Sequence, residues 1–341
     1  MQMNTKPMNN TLLKWIFIVI ILLLGIQLHI SSGAIDLNWK AILFAENTVD
    51  KTQVWVLWEL RIPRLLLVMM VGAGLAVAGV VLQALFRNPL AEPGLIGVSS
   101  SAAFGAVLVI VLGSSLWGQV ASWQMSVAGM IGAIVTTAII YRLATKWGRT
   151  DVAMMLLAGV AINAIAGAGT QLLISLSDDA QLRNVMFWMM GSFANSETLN
   201  LWILLAVVFV VSFVFWRLAK PLNALLLGEQ EALHMGYDPN PLKAKIMWGS
   251  AIMVGLAVAT VGVIGFVGLI VPHISRLLVG NQHQKLIPFS ALLGAALLLY
   301  ADWIAKTLIQ PAELPIGLFM AILGGPFFLM MLLQQRNKWG T

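Results

Sequence analysis

Ile62-Pro-Arg-Leu-Leu-Leu-Val-Met-Met-Val-Gly-Ala-Gly-Leu-Ala-Val-Ala-Gly-Val-Val-Leu-Gln-Ala-Leu85 contains one ionised side chain, Arg64, and one further polar one, Gln83. Folded as an α-helix, such a run is roughly 36 Å long, enough to cross a hydrocarbon core of about 30 Å. No backbone group can find water inside that core, so the segment must bond internally as a helix. Nine more apolar runs fill most of the remaining chain of 341 residues. The ten expected spans are 12–31, 62–85, 95–113, 120–142, 152–175, 198–217, 243–261, 269–280, 286–305 and 314–334. Composition agrees: 10% of residues are charged and 60% are apolar, with mean hydropathy +0.89. Soluble domains carry about 25% charged residues. The chain reads as an all-α polytopic membrane protein with a single transmembrane domain.

The eighth run is too short to cross alone. It follows Gly262, Gly265 and Gly268 and contains Pro272, which predicts a half-helix entered through irregular backbone. Such backbone is tolerated at membrane depth only where protein buries it or a cavity adjoins it. The first run lacks a small-x-small cleavage site after Leu28-His29-Ile30, so a retained span is expected rather than a signal peptide.

An even number of spans puts both termini on one side. With that side cytoplasmic, Lys6, Lys14, Arg87, Arg142, Lys146, Arg149, Arg217, Lys220, Lys243, Lys245, Arg276, Lys285, Arg336 and Lys338 fall inside. Lys40, Lys51, Arg61, Arg64, Arg183 and Lys306 fall outside. Fourteen against six obeys the positive-inside rule. This topology accounts for the net charge of +6 without nucleic acid.

The absence of cysteine excludes disulfides and thiolate chemistry. The four histidines, His29, His234, His273 and His283, show no pair at metal-binding helical spacing, so no metal site is expected. Mid-span positions are nearly all apolar or small, leaving no proton relay of the kind ion-coupled transporters keep at depth. Asn163 and Gln171 are the main polar exceptions, and either interhelical hydrogen bonding or contact with a transported solute would explain them. Glycine and alanine at Gly72-Ala73-Gly74, Ala76, Ala78-Gly79 and Gly159 to Gly169 predict close helix packing.

Two inward segments stand out. Lys220 to Asp238 interleaves Leu222, Leu225, Leu226, Leu233 and Met235 with Glu229, Glu231 and His234, and Gly228 and Gly236 punctuate it. Two short amphipathic helices joined by a turn are expected. The absence of Lys or Arg between Lys220 and Lys243 favours docking in a partner's groove over lying on anionic lipid. The second segment, Arg87 to Ser100, holds Pro89 and Pro93, which stiffen it into a candidate gate or a well-capped connection.

At these residues the chain resembles a known family. Arg61-Ile-Pro-Arg64, Asn88-Pro-Leu-Ala-Glu-Pro-Gly-Leu-Ile-Gly97, Leu227-Gly-Glu-Gln-Glu-Ala-Leu-His-Met-Gly236, Gly265-Phe-Val-Gly-Leu-Ile-Val-Pro-His273 and Ala312 to Pro326 are similar to FecCD permeases, in the family's order. The resemblance runs from about Leu12 to Gln335. It implies the type II ABC importer permease fold and import of an iron-siderophore complex, haem or cobalamin. It also implies a second permease subunit, two cytoplasmic ATPases carrying ATP-Mg, and a periplasmic solute-binding protein, in a bacterial inner membrane. The permease itself would bind no cofactor and hold no catalytic residue.

By motif position, Leu227, Gly228, Glu229, Glu231, Ala232, His234 and Gly236 correspond to ATPase-coupling helices. Arg61, Arg64 and Lys306 match positions that meet acidic residues of the binding protein, with lysine replacing an arginine of relatives at 306. Asn88, Pro89 and Leu90 match a cytoplasmic gate, and a second gate aligns near Asp151 and Val152. Asn163 and Gln171 are candidates for the translocation path. His273 is either a haem ligand or structural; Trp188 with Met186, Met189 and Met190 either meets a chelate or packs; Asp302 could pair with Arg61 or Lys306. An iron chelate is the leading cargo, cobalamin the alternative, and an ion-coupled secondary transporter or a non-transporting sensor the competing classes.

Overall fold

The computed structural model describes residues 8–33, 35, 37, 51–113, 116, 118, 120–194, 198–310 and 312–339. Of the residues used above, Lys6 and Lys40 lie outside the described ones. The helices in chain order are α1 (Met8–Ser31), α2 (Ile62–Leu85), α3 (Val98–Leu108), α4 (Ser122–Ala144), α5 (Val152–Ser175), α6 (Asp179–Met190) and α7 (Thr198–Arg217). They continue as α8 (Ala219–Leu227), α9 (Glu229–His234), α10 (Pro239–Val261), α11 (Val267–Val279), α12 (His283–Thr307) and α13 (Ile316–Trp339). Seven described helical segments are long and apolar enough to cross a membrane, or eight when the pair bent by 57° at residue 218 is one span. Two shorter apolar helices, Val98–Gly113 and Val267–Val279, complete an all-α bundle.

α2 is the spine, packed against α7, α10, α11 and α12. Its composition explains this position. A Cβ on Gly72 would stand 2.3 Å from the Gly294 carbonyl oxygen of α12, and one on Gly79 2.1 Å from that of Gly268 in α11. Only hydrogen fits at these crossings, and close backbone approach supplies the dispersion contact that holds helices together in lipid. The outward-facing leucines and valines of α1, α5 and α7 are exposed on the bundle surface, where acyl chains solvate them.

Helix boundaries depart from the expected spans where polar sequence continues a helix. α2 is preceded by helical turns at Lys51–Trp55 and a π-helical stretch at Val56–Arg61. The helix therefore begins well before the apolar run does. α10 likewise starts at Pro239, capped by Asp238, whose side chain accepts the Asn240 N–H at 2.9 Å. α6 and a hairpin of β1 (Thr145–Lys146) and β2 (Arg149–Thr150) were not anticipated from apolar patterning, because both are short and polar.

The half-helix expected at 269–280 is α11, entered through Gly262–Phe266, with Phe266 itself at φ +68°. A second interruption lies opposite it. The chain leaves α2, makes a 3-10 turn at Pro93–Ile96, and starts α3 only at Val98, so the expected span 95–113 is also a shortened helix. The two interruptions meet. The Glu92 carboxylate accepts the Phe266 N–H at 2.6 Å, Gln83 donates to the Gly268 carbonyl at 3.2 Å, and Pro93 lies against Gly268. Glu92 and Gln83 thus supply bonds that the unwound backbone leading into α11 lacks, which is how irregular backbone is tolerated in a bundle.

Candidate functional site

The end of the bundle where α2 finishes carries the expected partner-facing element. α8 and α9 are separate short helices joined at Gly228, whose φ of +135° is one a side chain would strain. Ala232 is buried and anchors α9, while Leu226, Leu227, Leu233 and Met235 are exposed beside Glu231 and His234. Gly236 (φ +84°) closes the segment. Glu229 also turns inward: its carboxylate pairs with Lys243 at 2.6 Å.

The Asn88-Pro89-Leu90 turn sits at the same end. The Asn88 side chain accepts the Leu90 N–H at 2.9 Å, an Asx turn that, with Pro89, fixes the loop. Asn88 and Pro89 are exposed and Ala91 is buried. Asp151 caps α5 by accepting the Ala153 N–H at 2.7 Å and the Met154 N–H at 3.2 Å.

Asn163 and Gln171 part company. Asn163 donates to the Gly94 carbonyl at 3.0 Å, bracing the 3-10 turn, so its amide serves the packing alternative. Gln171 is exposed on α5, on the same side as Ala164, Gly167 and Ala168.

At the opposite end, Arg61, Arg64 and Lys306 come together around two buried groups. Asp302, 2% exposed, accepts from His29 Nε2 at 2.8 Å and from Arg64 Nε and Nη2 at 2.9 Å each. Arg64 reaches on to Glu313 at 2.9 Å, with Glu313 39% exposed. The Lys306 ammonium donates to the His29 carbonyl at 2.6 Å. Arg61 is buried and donates to the carbonyls of Ile30, Ser31 and Ile35. Asp302 therefore pairs with Arg64 and His29, not with Arg61 or Lys306. Arg61, Arg64 and Lys306 thus sit in a bonded cluster, with the Arg64–Glu313 pair as its accessible part. Sequence could not find these acceptors because most are backbone carbonyls or residues some 240 positions away.

Beside the cluster opens a cavity of about 880 Å³, lined by Asp178, Gln181, Asn184, Trp188, Thr260, Glu313 and neighbours. Trp188 faces this cavity while also packing on the core, so both of its anticipated roles have a geometric basis. His273 stands edge-on to Phe327 at 5.9 Å between ring centroids. Among the described residues no group of three or more His, Asp or Glu could hold a metal ion. Sequence reasoning missed Glu92, Lys243 and His29 as buried bonding groups; the signal available was that each is an ionisable residue inside or beside an apolar run.

The pattern of the FecCD transport family matches residues 19–334. The chain belongs to the FecCD transport family. It is 40% identical over 338 residues to the hemin transport system permease protein HmuU of Yersinia pestis, covering 98% of this chain and 99% of that one. It is 38% identical over 330 residues to the vitamin B12 import system permease protein BtuC of Shigella boydii, covering 95% and 96%. A solved structure described as an inward-facing conformation of a metal-chelate type ABC transporter superposes with TM-score 0.84 at 33% identity, covering 94% of this chain and 98% of that one. The fold is thus that of a type II ABC importer permease, about ten membrane helices with one half-helix. As a FecCD chain it is a multi-pass membrane protein and a transporter component.

Proposed function

We propose that this chain is the permease subunit of an ATP-driven importer that carries an iron chelate, haem or a siderophore complex, from the periplasm to the cytoplasm. The observation that carries this reading is the end-to-end 40% identity to the hemin permease, which leaves no part of either chain unmatched by more than a few residues. Two such subunits, identical or paralogous, enclose one path. Two cytoplasmic ATPases dock on α8 and α9 and supply ATP-Mg, so the permease holds no catalytic residue and no cofactor of its own. A periplasmic binding protein docks at the Arg64–Glu313 end, near Arg61 and Lys306, and Asn88, Pro89 and Leu90 close the cytoplasmic side. Gln171 borders the path. Both termini lie on the cytoplasmic side of a bacterial inner membrane, a placement that the distribution of Lys and Arg supports.

Cobalamin is the second reading, favoured by 42% identity over 284 residues to the vitamin B12 permease of Escherichia coli. The test is reconstitution of the permease with its own ATPase and binding protein in proteoliposomes, offered hemin, a ferric siderophore and cyanocobalamin in separate assays. ATP-dependent accumulation of hemin or siderophore supports the first reading. Accumulation of cyanocobalamin alone replaces it with the second, and ATP-independent, gradient-driven uptake overturns both.

A further inference from the structure

We propose that Lys243 is a positioning residue that makes the β1–β2 hairpin follow the coupling helix α9. This rests on the reading of α8 and α9 as the ATPase-facing element. The ammonium of Lys243 is buried, 1% exposed, in the second turn of α10. It makes two bonds to different parts of the chain: 2.6 Å to the Glu229 carboxylate at the start of α9, and 2.6 Å to the Thr150 carbonyl at the end of β2. The Thr150 N–H is held from the same helix, donating to the Asn240 side chain at 3.2 Å. Thr150 immediately precedes Asp151, the cap of α5.

The physical consequence follows from burial. α9 is bounded by Gly228 and Gly236, both at positive φ that glycine adopts without strain, and Glu229 at its start is its ion pair to α10. If α9 withdraws, Glu229, itself 39% exposed, leaves, and the ammonium of Lys243, 1% exposed, keeps only the Thr150 carbonyl, a disfavoured state for a buried charge. The ammonium must follow its counter-ion, and the Thr150 carbonyl on its other side follows the ammonium. The start of α5 moves with it. A neutral hydrogen bond at the same place would impose no such requirement, because losing it leaves no charge uncompensated.

The test uses the full importer in proteoliposomes. Because the chain has no cysteine, Trp147→Cys at the hairpin tip, where Trp147 is 92% exposed, takes a single environment-sensitive fluorophore. In the parent the label should respond to ATP binding. In Lys243→Met the complex should assemble and hydrolyse ATP, the label response should vanish, and transport per ATP should fall about tenfold, an ordinary size for coupling between sites. Lys243→Arg should restore both. A parental transport ratio in Lys243→Met, or hydrolysis and transport falling in step with the label response intact, overturns the proposal. If Lys243→Met yields no folded complex, Glu229→Gln decides: it must lose the label response, and retention overturns the idea. Failure of the underlying reading shows separately, as α9 variants that leave ATPase binding and coupling untouched.

Discussion

Replacing Asp302 by leucine removes the hub of the cluster that joins α1, α2 and α12. The aspartate is 2% exposed and accepts three hydrogen bonds, one from His29 and two from Arg64. Removing one partner of a buried ion pair costs about 3–5 kcal/mol, because the other charge stays buried without compensation. Arg64 keeps Glu313, but that carboxylate is 39% exposed, and solvent-screened pairs contribute only about 0.2–1 kcal/mol. The expected loss is therefore about 3 kcal/mol. Adding Arg64→Met to Asp302→Leu should recover about 2 kcal/mol of it, since apolar replacement of both partners leaves no orphan charge. His29 loses its partner in both variants, so its contribution cancels from the comparison. Stability is read by thermal unfolding in detergent with SDS titration as a second measure. The double variant then reports on docking: it should fold, yet associate with the binding protein more slowly and with weaker salt dependence, as loss of a rim charge entails. A double variant no more stable than Asp302→Leu, or a single-variant cost below about 1 kcal/mol, refutes the reasoning that charge pairing rather than shape holds this corner.

Three further expectations test other parts. Gly79→Ala should cost about 1–3 kcal/mol, since its Cβ would lie 2.1 Å from a backbone oxygen, whereas Gly167→Ala, with nothing within 4 Å, should be neutral or gain up to about 1 kcal/mol; matched thermal melts decide. Glu231→Arg, or Ala232→Pro, should leave the permease folded but uncouple transport from hydrolysis; normal substrate-stimulated hydrolysis with the ATPase copurifying at unchanged yield would count against α9 as the coupling element. Burial pushes the Glu92 carboxyl above its ordinary value, with the Phe266 N–H opposing the rise. A raised folded pKa means the native state holds the proton more tightly, so this contribution is present below the unfolded pKa and is lost as pH rises through the folded one. Glu92→Gln should abolish that decline, and an unchanged pH slope of stability would place the titrating group elsewhere.

Most of the fold was legible because lipid imposes a single rule on each segment: α5 was bounded at 152–175 and found at Val152–Ser175. Legibility failed where partners lie far along the chain. Nothing local tells that Lys243 is a buried tie rather than one more cytoplasmic charge, since its acceptors belong to residues 150 and 229. The same holds for Asp302, whose position near a helix end suggests Arg61 or Lys306 as its partner, where the structure pairs it with Arg64 and His29. The break before α3 is not legible locally, because Pro93 and Gly94 predict one stiff turn, while the bonds that hold the turn come from Asn163 and Phe266. Motif position groups α8, α9 and the Asn88 turn, which share one end of the bundle; it says nothing about which of their side chains face inward.

The meeting of the two interrupted spans, α11 and α3, has a mechanical meaning. A continuous helix is a stiff rod, and tilting one end swings the other. Here α11 and the turn before α3 are joined through the Glu92 carboxylate, with Gln83 of α2 on the Gly268 carbonyl. A break of this kind passes less of a tilt from one piece to the next than an unbroken helix would.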